Sequence, residues 1–197
     1  MAARLSVSNR YKRIVAIRRI LQLGDPLLRE KSEHASDPTS FVAVLTDLRD
    51  TLHDFQRTHG FGRGISAVQI GTLQRIIYLE FHGISYCLIN PQYDHLSEEK
   101  FRLWDDCFSF PNLLAWLERS KTLRLLYHDE KGSERDIEAV GALSELIQHE
   151  MDHLDGILAI DRALDRNSLC TRDEWERRYR DRTSNGERNS SCLRAEV

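Results

Sequence analysis

The sequence predicts an α+β fold in which a mixed, mainly antiparallel sheet surrounds one central helix. Two observations predict it. Strand-like runs precede or flank each helical segment without the regular βαβ alternation of a parallel sheet. Two stretches, 41–55 and 141–154, repeat their apolar residues at helical rather than alternating spacing. A length of 197 residues fits one domain with a sizeable core.

The elements follow in order. Residues 1–24 carry Arg4, Arg10, Lys12, Arg13, Arg18 and Arg19 and no acid before Asp25. Residues 1–16 read as a basic leader, either an organelle transit segment or a plain basic extension. In 41–55, FVAVLTDLRDTLHDF, Phe41, Val44, Leu45, Leu48, Leu52 and Phe55 share a face, and Asp37, Pro38, Thr39 and Ser40 supply the cap and first turn. A glycine-rich turn follows at Gly60, Gly62 and Gly64. The runs 75–80 (RIIYLE), 85–90 (SYCLIN) and 121–128 (KTLRLLYH) read as strands. Residues 129–132 (DEKG) make a hairpin turn into a strand at 134–139. The second long helix, 141–154, ends with help from Gly156. A third begins near Thr171, which forms a T-x-x-E capping box with Glu174 and leaves Trp175 and Tyr179 on one face. The domain thus spans 17–182, and the polar, Ser/Asn-rich 183–197 read as a disordered tail.

Composition narrows the function classes. The net charge of −3 advertises neither nucleic acid nor an anionic membrane as partner. No apolar run approaches the ~18 residues that span a bilayer, and no signal-peptide pattern is visible. The four cysteines show no CxxC spacing, which favours a reducing compartment over a secreted disulfide framework. A cytoplasmic protein is expected, with organelle targeting by the basic N-terminus left open.

The strongest chemical signal is Gln148-His149-Glu150-Met151-Asp152-His153. Positions i and i+4 of a helix share a face, so both imidazoles can reach one metal ion. Glu150 lies beside that face, near enough to take a proton from a metal-bound water and return it to a leaving group. A hydrolytic site needs a third protein ligand and an open position. Cys107, in Trp104-Asp105-Asp106-Cys107-Phe108-Ser109-Phe110-Pro111, is a candidate, although a lone cysteine is more often a small buried hydrophobe. In Gly62-Arg63-Gly64-Ile65-Ser66-Ala67-Val68-Gln69, small residues admit close backbone approach and Gln69 offers an amide donor for an oxyanion. Taken alone, that segment reads equally as a turn leading into a strand.

In order, the three segments resemble the signature motifs of the peptide deformylase family: G-x-G-x-A-A-x-Q, E-G-C-L-S and Q-H-E-x-D-H. The third is matched in full, the second at Cys107 and Ser109, and the first at Gly62, Gly64, Ala67 and Gln69. Residues 20–30, ILQLGDPLLRE, resemble the family's N-terminal segment. The resemblance implies a metallohydrolase that removes the formyl group from N-formyl-methionyl peptides or nascent chains. It implies that Cys107, His149 and His153 bind Fe²⁺, with Zn²⁺ or Ni²⁺ as other occupants, and that Glu150 is the general acid–base. Gln69 and the backbone N–H of Phe108 become the implied oxyanion donors. Gly64, with Arg63, Ile65, Glu145 and Leu146, becomes the implied substrate-binding set.

Departures from the family pattern gather around the substrate. Asp105 and Asp106 stand in place of Glu and Gly, Ser66 in place of Ala, Phe108 in place of Leu, and Leu114 in place of an Arg that helps hold the peptide. Arg63 and Glu145 replace apolar residues that face the methionine side chain. Either pairing across the pocket or exposure to solvent is expected of these two, because a buried unpaired charge is costly. Three other functions remain at this stage: a related amidohydrolase on a different formylated substrate, a non-catalytic metal-binding homologue, and a metalloendopeptidase with an acid such as Glu174 as third ligand.

Overall fold

A computed structural model describes residues 17–180; the basic leader 1–16 and the tail 183–197 lie outside them. Helix α1 (Pro38–His59) is followed by β1 (Gly64–Ser66), β2 (Ile76–Phe81) and β3 (Ile84–Leu96). Next come β4 (Lys100–Asp106), β5 (Leu113–Ser120), β6 (Thr122–His128), β7 (Glu134–Val140) and α2 (Ala142–Leu154). The short β8 (Leu169–Thr171) and α3 (Arg172–Arg178) close the order.

The strands form two sheets, β1-β2-β3-β6-β7 and β4-β5-β8. Every strand pair in them is antiparallel, and the one parallel contact among the described residues is an isolated bridge between Glu33 and Gln74. The larger sheet is covered on both faces, which is why β2 reads as a continuous apolar run. Ile76 and Tyr78 face the α1 residues Leu45, Leu48, Leu52 and Phe55. Ile77 and Leu79 face the α2 residues Leu146, Ile147, Met151 and Leu154. This alternation is the period of two built into a strand.

Helix α2 is central: every residue from Ser144 to Leu154 is buried. The small sheet covers its other side through polar contacts. The Gln148 amide donates to Ser120 O and accepts from Ser120 N–H, at 2.9 and 3.0 Å, and the Ser144 hydroxyl donates to Ser120 O at 2.8 Å. Gly156 terminates the helix at φ 73°, a left-handed conformation that a side chain would strain.

Most elements lie where the sequence places them; the short β8 was not assigned, and two larger differences stand beside it. The sequence analysis assigns no strand to 100–120, yet β4 and β5 are both there. Arg102, Asp105, Glu118 and Arg119 interrupt the apolar alternation, and the fold pairs them: Arg102 with Glu118 across the ladder, Arg119 with Asp105 inside. The capping box at α3 is half formed, since Thr171 Oγ1 accepts from Glu174 N–H while Glu174 itself turns to Arg177 and Arg178.

Candidate metal centre

Three buried side chains converge between the sheets. Helical spacing puts His149 and His153 on one face of α2, with ring centroids 4.9 Å apart. Cys107, in the turn just after β4, brings its Sγ to 3.1 Å from His153 Nε2. One ligand atom from each of Cys107, His149 and His153 lies within 4.8 Å of the others. Glu174 is exposed and ion-paired on α3, away from this group, so it is not the third ligand.

Neighbouring charges hold the rings in place. His149 Nδ1 donates to Asp105 Oδ1 at 2.8 Å, which turns its other nitrogen toward the cysteine. Burial opposes charge on His149, but Asp105 outweighs it and holds the imidazole well above its usual range. Asp105 is buried too, yet His149 and Arg119 hold its carboxyl well below the usual range. His153 is the opposite case: burial holds it well below its usual range, so it is neutral and has a lone pair to give. A cysteine sulfur and two imidazoles, all buried, with Cys107 and His149 lining an open cleft, suit a divalent ion such as Fe²⁺ or Zn²⁺.

Glu150 and Gln69 face the same cleft. Ser66 Oγ donates to Glu150 Oε2 at 2.5 Å. Burial pushes the Glu150 carboxyl up to about 7, against the lowering influence of His149 and Ser66. The Gln69 amide is oriented, because its Oε1 accepts from Ser66 N–H at 2.9 Å. Its Nε2 therefore points inward, 3.6 Å from Cys107 Sγ and 3.4 Å from Ser109 Oγ. Gly64 is needed for space: a Cβ there would sit 2.7 Å from Glu150 Oε1 and 3.1 Å from Leu146 Cδ1.

The cleft is lined by, among others, Arg63, Gly64, Gln69, Phe108, Glu145 and Leu146. Arg63 Nη2 donates to Glu145 Oε2 at 2.9 Å, so pairing is the alternative realised. Two expectations are corrected. Ile65, expected to bind substrate, is fully buried on the α1 side of β1, because alternation sends Gly64 and Ser66 toward α2 and Ile65 the other way. Leu114 does not face the cleft; it packs with Trp104, Trp116 and Trp175. Asp106, which stands in place of a glycine, has no positive φ: among described non-glycine residues only His82 and Asn90 have one.

The sequence reading did not assign Ser66, Asp105 and Arg119 to the site. Asp105 was the legible one, an acid two positions before a candidate ligand. Ser66 and Arg119 carry no signal until the fold brings them to Glu150 and Asp105.

The antiparallel sheets around α2, with a Cys/His/His set and a carboxylate at an open cleft, define a mononuclear metallohydrolase. A family profile described as Polypeptide deformylase matches residues 17–168. Peptide deformylase 2 of Clostridium perfringens is 32% identical over 151 residues, covering 76% of this chain and 94% of that protein. The peptide deformylase of Pseudothermotoga lettingae is 35% identical over 147 residues, covering 74% and 82%. The Thermotoga maritima enzyme superposes with a TM-score of 0.71 at 28% identity, over 76% of this chain and 99% of that one. The Synechococcus elongatus enzyme, solved in complex with actinonin, gives 0.72 at 27%, over 85% and 88%. The chain belongs to the polypeptide deformylase family.

Proposed function

We propose that Cys107, His149 and His153 hold one divalent metal, Fe²⁺ with Zn²⁺ or Ni²⁺ as other occupants, and that Glu150 and Gln69 complete a site for N-formyl-methionyl peptides. Removal of the N-formyl group from nascent peptides is the activity of the family to which the chain belongs. One observation carries the residue assignment: the three buried ligands lie together, and two of them, Cys107 and His149, line a single cleft with Glu150 and Gln69.

A metal in this site supplies Lewis acidity and a water whose pKa falls toward ~7. The chain's own groups do the rest. Glu150 takes the proton of the water that adds to the formyl carbon. It then gives that proton to the amine as the C–N bond breaks and formate leaves. Gln69 Nε2 and the Phe108 backbone N–H donate to the oxygen that becomes negative. Ser66 fixes Glu150 Oε2, and Oε1 is the oxygen beside Gly64. β1 is the edge of its sheet, so the peptide can lie along Gly64 as an added strand.

The partner is thus a formylated nascent chain, met in the cytoplasm. Free Cys87, Cys107 and Cys170 suit a reducing compartment. No helix among the described residues is long and apolar enough to cross a membrane.

The test is formate release from formyl-Met-Ala-Ser by protein purified without oxygen and loaded with Fe²⁺ or Ni²⁺. Release is the expected result; no release from protein holding one metal per chain would overturn the assignment. Cys107→Ala should leave less than a tenth of the bound metal, since it removes one of three ligands. Metal retained in that variant would move the ligand role elsewhere.

A second reading is favoured by the Arg63–Glu145 pair: a formylated residue smaller or more polar than methionine. An ion pair with side chains 18% and 3% exposed makes a poor wall for a thioether. Arg63→Ile combined with Glu145→Leu should raise kcat/KM for formyl-Met over formyl-Ser peptides by about tenfold or more. An unchanged ratio would return the assignment to methionine.

A further inference from the structure

The profile match ends at residue 168, but β8 and α3 continue beyond it and bear on the cleft. β8 pairs with β5 at Leu113, Leu114 and Ala115. Trp175 anchors α3 in the tryptophan cluster with Trp104 and Trp116. Between these anchors stands Arg172. Its backbone N–H donates to Asn112 O at 2.9 Å and its Nε to Pro111 O at 2.6 Å. Its Nη2 donates to Asp106 Oδ2 at 2.5 Å, and its guanidinium lies 4.5 Å above the ring of Phe61.

Asp106 and Phe61 both line the cleft, from different walls. Asp106 ends β4, beside the ligand Cys107, while Phe61 belongs to the loop that enters β1. A single guanidinium, itself just outside the lining, therefore ties two lining residues together. Three stem fixtures and a stacking partner hold it there, with the side chain 18% exposed. Among the described residues no acceptor is paired with its Nη1. That leaves a charged, pre-oriented donor at the rim of a site that must accept a chain of peptide carbonyls.

We propose that Arg172 is a specificity-determining residue that holds the part of the substrate beyond the formylated residue, through Nη1 to a peptide carbonyl and through the wall it makes with Phe61 and Asp106. This rests on reading the cleft as a formyl-peptide site. It assigns a role to the segment outside the family match. A single formylated amino acid ends before reaching the rim, so Arg172 has nothing to hold there; a formylated tripeptide reaches it.

The experiment compares formyl-Met-Ala-Ser with formyl-Met in the intact chain, Arg172→Ala and Arg172→Lys, with metal content and thermal midpoint measured alongside. Arg172→Ala should raise KM for the tripeptide about tenfold, the worth of one hydrogen bond to a charged group. It should leave kcat within about twofold, and kcat/KM for formyl-Met unchanged. Arg172→Lys keeps the charge but loses the fork and the stacking, and should fall between. Equal losses on both substrates, or no loss on either, would overturn the proposal.

A binding measurement separates this from the activity. Formyl-Met-Ala-Ser is titrated into metal-loaded Glu150→Gln protein and followed by tryptophan fluorescence, to which Trp104 contributes from the lining of the cleft. Weaker tripeptide binding in Glu150→Gln/Arg172→Ala supports the role of Arg172 even where the parent chain releases no formate. Binding that ignores Arg172 overturns it even where deformylation is robust.

Discussion

Glu150→Gln should reduce formate release about a thousandfold, within the range that general acid–base groups contribute, while one metal stays bound per chain. The carboxyl is fully buried, fixed by Ser66, and does not belong to the Cys107/His149/His153 set. Glutamine has nearly its shape, so the ligands keep their places. What it lacks is the capacity to take a proton and give it back. Burial pushes the Glu150 carboxyl up to about 7, so folding already strains against its charge. The neutral amide removes that strain, and the thermal midpoint should hold or rise. Formate assays beside metal analysis and calorimetry give the three readings. Activity within tenfold of the parent would mean that another group moves the proton. The nearest candidate, Glu145, is tied to Arg63.

The metal ligands were legible because their signal is local. His149 and His153 are one helical turn apart, and no tertiary knowledge is needed to put them on one face. Cys107 became legible through its motif, and its position after β4 supplies the reason: the strand delivers it to α2. The charge chemistry around the ligands was not legible. Arg119 reads in the sequence as one more charge in a polar stretch. Its role exists only because β5 crosses α2 at Asp152 and faces Asp105 from the neighbouring strand. The same charges hid β4 and β5, since strand patterning assumes that charged residues face water. Ile65 shows the complementary error. The family resemblance placed it in the substrate-binding set with Gly64, but in a strand adjacent residues face opposite ways. Leu114 was judged by its place in a motif, whereas its surroundings are three tryptophans.

Arg119→Met should destabilise the fold more than any change at the cleft surface. Arg119 is 4% exposed and donates to Asp105 Oδ2 at 3.0 Å and to Asp152 Oδ2. Removing one partner of a buried ion pair typically costs about 3–5 kcal/mol. For a domain of this size that lowers the midpoint by roughly 10 °C. The loss is not shared evenly. Asp152 keeps Arg162, which donates to it at 2.7 Å, whereas Asp105 keeps only His149. The stranded carboxylate is thus the one that orients a metal ligand. Metal affinity should fall about ten- to a hundredfold, the usual effect of losing such support. Asp105→Asn in the same chain removes the stranded charge, so the double variant should recover much of the stability without recovering metal affinity. The coupling from that cycle measures the Arg119–Asp105 interaction itself. Additive losses in the double variant would show that Arg119 acts through packing, and that Asp105 holds His149 without its help.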